Sequence, residues 1–393
     1  MTRDIAPWDP PFASLYRGVI DTALAEANVG RDSHICLPLQ GAGHFGIEAM
    51  VRAFVGQSGR PGAGRLLVPL TGAYGGRIVR LSREAGIDVV PLPVTDGARV
   101  DPASVAEALA ADPGLTHVGL VYSETSTGIV HDVVAVGEVA RAAGRTLLLD
   151  AVSAFGALPL DLAAMPEVAA MVFTSNKCFE GMPGLSFATC RLDALETAHP
   201  SGSWSLDLGD IWRLSRTRSE GFFRFTPPAQ VFAAFAVAQA EHAAEGGRAG
   251  RLTRYRANRD ALLDGMEAIG LTPYLPRDLQ GPIVVNVCAP ADPAWVLLDF
   301  VNGLRARGFI ISNFHDTAAP SFRVGCIGAV EPDDLRRFAA AADATLSAMG
   351  VRVRTPALRE EALREEGPRE GTPRERVLNE REPTERALTE RAA

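Results

Sequence analysis

The sequence predicts an α/β protein in which a large domain, built on a mainly parallel sheet covered by helices, is followed by a smaller α+β domain. Three observations predict it. From about residue 34 to 190, short apolar runs alternate with helix-like stretches, the pattern of buried strands between amphipathic helices. From 282 to 348 the alternation repeats on a smaller scale. At 393 residues, 47% hydrophobic and 22% charged, the chain exceeds one ordinary domain and has the composition of a globular protein. The expected division is an N-terminal segment over 1–33, the large domain over 34–265, the small domain over 266–350 and a charged tail over 351–393.

The N-terminal stretch MTRDIAPWDPPFASLYRG lacks an apolar core of the signal-peptide kind, and nothing in the chain reaches the roughly 18 to 20 apolar residues that span a bilayer. The strands of the large domain are read in HICLPL, RLLVPL, IDVVPLPV, HVGLVYS, TLLLDAV, AAMVFTS and GLSFATCRL, with helices in FGIEAMVRAFV, GGRIVRLSREAG and VVAVGEVARAAG. FAAFAVAQAEHAAEGG and YRANRDALLDGMEAIG then read as helical, the GG placed as a C-cap. The small domain reads IVVNVCAP (strand), WVLLDFVNGLRARG (helix), FIISNF and FRVGCIGAV (strands) and DDLRRFAAAADATLSAMG (helix). After Gly350, balanced Arg and Glu broken by Pro and Gly cannot bury a core, and a solvated, disordered appendage is expected. A net charge of -8 gives no basic field for nucleic acid. Cys36, Cys178, Cys190, Cys288 and Cys326 form no CxxC pairs and have no His clusters beside them, which argues against disulfides and metal and fits a cytoplasmic protein outside the membrane.

Gly41-Ala42-Gly43-His44-Phe45-Gly46 matches G-x-G-x-x-G between a strand and a helix, the context of a dinucleotide site. The acidic residue that should follow about 20 positions on is missing from GAGRLLVPLTGA. What remains is a helix N-terminus whose glycines let backbone N–H groups approach a phosphate.

Asp150 ends the apolar strand of RTLLLDAV, and Lys177 follows the strand of MVFTSNK. A lysine desolvated at a sheet end can act as a Schiff-base lysine, and a carboxylate can hold the pyridinium nitrogen of pyridoxal phosphate (PLP). Each residue alone has an ordinary alternative: Asp150 as a helix cap or turn residue, Lys177 as a surface charge.

The blocks QGAGHFGIEA, LTGAYGGR, YSETSTG, LLLDAVSAFGALPLDL, SNKCFEGMPG, SLDLGDIW, FRFTPPAQV, YRANRDAL and FRVGCIG carry a wider resemblance. Over about 34–348 the chain resembles the class V aminotransferases of PLP fold type I, and among them the 2-aminoethylphosphonate:pyruvate transaminases. The resemblance implies transfer of an amino group from a small amino compound to a 2-oxo acid such as pyruvate. Lys177 and Asp150 would be catalytic. Ala42, Gly43 and His44 would present the phosphate loop, Asn176 would support it, Tyr74 would stack on the pyridine ring and Thr125 would contact it. Thr226 would reach the phosphate of the neighbouring subunit in a homodimer, and Arg323 would fork onto the substrate carboxylate. Tyr74 as a core aromatic, Thr226 as a helix cap before Pro227 and Arg323 in a surface ion pair are the plain alternatives.

Departures from the family pattern fall where substrate is selected. QGAGH replaces QGSGT, and GxGH at this place is closer to alanine:glyoxylate and serine:pyruvate transaminases. HPSGSWSLDL lacks an arginine common in the family, SNFHDTAAPS replaces a Gly-Lys type turn, and Cys326 stands where Asn is common. His44 could bind an anionic substrate or cap its helix. Two other functions stay open: a PLP lyase, for which Cys326 is the nearest mobile-cysteine candidate although a core thiol fits it better, and a PLP-bound regulator or cofactor-free scaffold, for which no helix-turn-helix or basic surface is seen.

Overall fold

The computed structural model describes residues 5–217, 223–313 and 317–356. The expected tail therefore lies outside the described residues from 357 onward. In chain order the strands are β1 (His34–Gln40), β2 (Arg65–Leu70), β3 (Asp88–Pro93), β4 (His117–Val121), the two-residue pair β5 (Ser123–Glu124) and β6 (Ile129–Val130), β7 (Thr146–Asp150), β8 (Val168–Thr174), β9 (Leu185–Arg191), β10 (Val284–Cys288) and β11 (Ser321–Gly325). Each apolar run of the first 190 residues that was expected as a strand is one.

The central sheet has the order β1-β9-β8-β7-β4-β2-β3. Pairing is parallel from β8 through β7, β4 and β2 to β3, while β9 runs antiparallel to both neighbours. β3, with Pro91 and Pro93, is an edge strand, the place where missing amide donors do least harm. β8 is buried at all seven positions, as a strand covered on both faces must be.

Alternate residues of these strands feed two cores. Leu147, Leu149, Met171 and Phe173 join Phe12, Phe232 and Phe235 from the helices Pro10–Glu26 and Ala229–Ala244. Leu148, Ala170 and Val172 face the other way, onto Met50 and Ile78 of the helices Gly43–Phe54 and Ala73–Glu84. This alternation is the period of two of a strand with two buried faces.

A third core gathers around β10, β11 and the helices Leu297–Ala306 and Pro332–Met349. The 22-residue helix Gly247–Ala268 serves two cores: Leu252 and Tyr255 pack with the large sheet, Ala261, Leu262 and Met266 with the small one. The GG expected as a C-cap falls one residue later: Glu245 is the C-cap of Ala229–Ala244, while the left-handed Gly246, at φ 101, is the N-cap of the helix that Gly247 begins. One expected strand is absent. FIISNF forms no ladder over its described residues 309–313, because Phe309 and Ile311 bury themselves directly against the third core, Phe309 on the ring of Phe338, and leave Ile310 80% exposed. Among the described residues no helix is long and apolar enough to cross a membrane.

Candidate active site

The strand order turns outward from β2, with β3 on one side and β4 on the other, and the carboxyl ends of the parallel strands at such a point leave a crevice for ligands. Asp150 ends β7, the neighbour of β4 in the same parallel set, and Lys177 follows β8, the next strand, by three residues. One cavity is lined by both, together with Ala42, Gly43, His44, Tyr74 and Asn176. Seven of the residues singled out from sequence thus share one space.

Asp150 is buried, and the amide of Val152 donates to its Oδ1 at 3.0 Å. Burial pushes its carboxyl up to about 7 and Glu124 pushes in the same direction, against the pull of the Val152 amide and the cations Lys177 and Arg77. Lys177 is half-buried in a tight turn in which Glu180 N donates to Lys177 O at 2.9 Å and Gly181 N returns to Ser175 O at 2.8 Å. Thr174, at the end of β8, also lines the cavity and buries its Oγ1 without a hydrogen-bond partner.

The glycine loop leaves β1 and opens the helix Gly43–Phe54. Its N-cap is Ala42, which makes no side-chain cap bond, so His44 lies inside the first turn, exposed and stacked on Phe45, and the cap reading of His44 does not hold. A Cβ on Gly43 would come within 2.7 Å of Val152 Cγ2, so backbone lies directly against the Asp150 turn. Tyr74 begins the helix Ala73–Glu84 and carries the Arg77 guanidinium 4.6 Å from its ring centroid.

What holds Tyr74 in place is Glu124, which the motif reading passed over. Its fully buried carboxylate accepts from Thr71 Oγ1 (3.0 Å), Gly75 N (3.2 Å), Tyr74 N (3.3 Å) and Ser126 N (3.2 Å). Gly72, at φ 155, threads this knot, and a Cβ on it would meet Ser126 Oγ and Glu124. Arg77 and Thr174 were likewise missed. A signal existed for Arg77, as the cation one turn after Tyr74 on the same helix face; nothing local marks Thr174.

Thr125 and Arg323 do not line this cavity but meet each other beside it: Arg323 donates to Thr125 O at 3.1 Å and to Ser312 Oγ at 3.4 Å. Asn286 of β10 donates to Ser126 O at 3.1 Å, tying the small sheet to the same loop. Thr226 is set apart. It is exposed next to Phe225, and the helix after it is capped by Pro228, so the cap reading of Thr226 does not hold either. Cys326 is fully buried just past β11, where burial pushes its thiol up to about 12; it is an inert core thiol and no mobile nucleophile.

The family model "Aminotransferase class-V" matches residues 39–272. Over 355 residues the chain is 40% identical to a protein of Burkholderia ambifaria named 2-aminoethylphosphonate--pyruvate transaminase, covering 90% of this chain and 93% of that one. A protein of the same name from Paraburkholderia phymatum is 39% identical over 90% of this chain and 94% of its own. Among solved structures, pyridoxamine-pyruvate aminotransferase from Mesorhizobium loti superposes with a TM-score of 0.77 at 23% identity, over 90% of this chain and 88% of that one. Ureidoglycine-glyoxylate aminotransferase from Bacillus subtilis gives 0.78 at 21% identity, over 93% and 92%. The fold is that of these enzymes, and by family match and by identity along nine-tenths of its length the chain belongs to the class V aminotransferases, as a PLP-dependent aminotransferase.

Proposed function

We propose that the chain transfers an amino group from 2-aminoethylphosphonate, or a related small aminophosphonate, to a 2-oxo acid such as pyruvate, with Lys177 and Asp150 as its catalytic residues. The observation that carries the reading is that Lys177, Asp150 and Tyr74 come from three different strand ends to one cavity. The names of the 40%-identical relatives support the substrate pair.

The residues present fit PLP. Asp150 is a buried carboxyl that an adjacent cationic nitrogen would satisfy, Thr174 Oγ1 is a buried hydroxyl without a partner, and the backbone at Gly43 leaves a cradle that a Cβ would fill. When bound, PLP supplies an electron sink for the carbon that bears the transferred nitrogen. Asp150 would hold the ring nitrogen, its carboxylate favouring the protonated form of that nitrogen. Lys177 would be the residue that holds PLP, and its amine would act as the acid–base group that moves a proton at the substrate carbon bearing the transferred nitrogen. Backbone N–H groups of Ala42, Gly43 and His44, with Asn176, would hold the phosphate. Tyr74 would stack on the pyridine and His44 would be an anion contact, both from the lining of the Lys177 cavity, while Thr125 and Arg323, outside the lining, would contact the cofactor ring and a substrate carboxylate.

Thr226, exposed in the single chain, would reach the phosphate of a partner in a homodimer. Five scattered cysteines without CxxC pairs support a cytoplasmic setting. A panel of 2-aminoethylphosphonate, alanine and serine against pyruvate and glyoxylate tests the substrate reading. Fastest turnover with 2-aminoethylphosphonate and pyruvate is expected, and a preference for alanine or serine with glyoxylate would replace it.

A further inference from the structure

The turn that carries Lys177 is closed by a residue in an unusual state. Glu180 adopts φ 58, a left-handed conformation that non-glycine residues seldom take, and its side chain is 17% exposed. Its carboxylate is shared. Oε1 accepts from Arg254 NH2 (2.8 Å), from the Tyr255 hydroxyl (2.6 Å) and from the amide of Gly328 (3.0 Å), while Oε2 lies 3.3 Å from Arg251 NH1. Both arginines reach further: Arg251 NH1 donates to Cys178 O at 2.6 Å, next to Lys177, and Arg254 NH1 donates to Gly328 O at 2.6 Å and Val330 O at 3.1 Å. Glu245 closes the network, accepting from Arg251 Nε at 2.7 Å and Arg254 Nε at 2.8 Å. One turn along the same helix, Asn258 donates to Cys326 O and Val330 O, both at 3.0 Å.

The two ends of this network are the Lys177 turn and the segment 326–330, which continues directly from β11 and therefore from Arg323. Between them stands the helix Gly247–Ala268, whose residues belong to both the large and the small core. Buried ion pairs are a poor source of net stability, but they fix geometry, since removing one partner leaves a charge with no water to turn to. We infer that Glu180 is a positioning residue: its carboxylate holds the lysine turn and the chain leaving the Arg323 strand in one fixed relation, so that the proton-moving amine and the carboxylate-binding guanidinium are set by the same group. The inference rests on the reading of Lys177 and Arg323 given above. It adds what that reading lacks, the physical link between two residues 146 positions apart, one in the turn after β8 of the large sheet and the other on β11 of the small one.

The test uses full-length Glu180→Gln, which keeps size and loses charge, and Glu180→Gly, which relieves the left-handed backbone and loses the carboxylate. Arg254→Lys, which keeps charge and loses the fork, guards against a folding failure in either. PLP content is measured for each variant, and turnover is expressed per loaded site. Misplacement of reacting groups lowers kcat more than binding, so a drop in kcat of at least about tenfold per loaded site is expected in all three, with KM for the amino donor changed by less than about threefold. Backbone hydrogen exchange of the ligand-free variants is expected to speed up in 175–181 and in 326–330 together. Per-site turnover within about twofold of wild type, full activity in Glu180→Gly, or exchange that rises in only one of the two segments would overturn the inference. Wild-type protein without transamination, or Lys177→Ala that retains it, would instead overturn the underlying reading, and the inference with it.

Discussion

A carboxyl group buried at the end of β7 with a single amide donor is costly to ionise, and Asp150, pushed up to about 7, accordingly makes the ligand-free protein pH-sensitive. The folded form holds its proton to higher pH than the unfolded chain does, so between about pH 4 and 7 the native state binds more protons and stability falls as pH rises. Asp150→Asn removes this penalty. Ligand-free Asp150→Asn should melt above wild type near pH 8, by a margin of up to about 4 kcal/mol, with little difference near pH 5; scanning calorimetry at the two values checks it, and a constant difference would refute it. PLP, which gives Asp150 a cationic neighbour, should stabilise wild type far more than this variant. At this scale Asp150 and Lys177 were legible because each ends a strongly apolar run, so their place at a sheet edge followed from hydropathy alone. Arg77 and Thr174 were not, since their relevance depends on which way one helix face and one strand end point.

At the scale of elements, the place of Tyr74, proposed to cover the pyridine ring, depends on a loop knot around Glu124. Its carboxylate fastens the start of the helix Ala73–Glu84 to the β5–β6 turn, and Gly72 is the residue small enough to pass between them. Glu124→Ala leaves several buried donors unmet, so a loss of about 3 kcal/mol in urea unfolding is expected, together with weaker PLP binding. Unchanged stability would show that water replaces the carboxylate there. Gly43→Ala forces a methyl group against Val152 and should cost about 1–3 kcal/mol by overpacking, with the loss of PLP affinity read by equilibrium dialysis. The parallel strands were legible from continuous apolar runs, each bounded by Gly or a polar turn. FIISNF was misread because an apolar run of strand length says only that side chains are buried, and Phe309 and Ile311 achieve this against a helix without a ladder. Glu124 went unremarked for a similar reason: apart from Ser126, its partners come from Thr71–Gly75, about fifty residues away in sequence and brought near by the β2–β4 pairing.

At the scale of the whole molecule, the site as proposed is incomplete in one chain, because Thr226 is exposed and apart from the Lys177 cavity. Mixing inactive Lys177→Ala with inactive Thr226→Ala and allowing subunits to exchange should restore up to about a quarter of wild-type activity, since one site of each mixed dimer then has both residues intact. No recovery after verified exchange would place Thr226 outside the site. The two-core helix Gly247–Ala268 also links the large and small units at Glu180, a coupling no local pattern announces, because the partners of Glu180 lie up to 148 positions away in sequence. The central claim is that Lys177 is the residue that binds PLP and moves the proton, and the most direct measurement is the absorbance of the PLP-loaded protein as 2-aminoethylphosphonate is added without an acceptor. Wild type should lose its lysine-bound PLP band and recover it on addition of pyruvate, while Lys177→Ala shows neither the band nor the cycle; a Lys177→Ala protein that forms the band and completes the cycle would contradict the account.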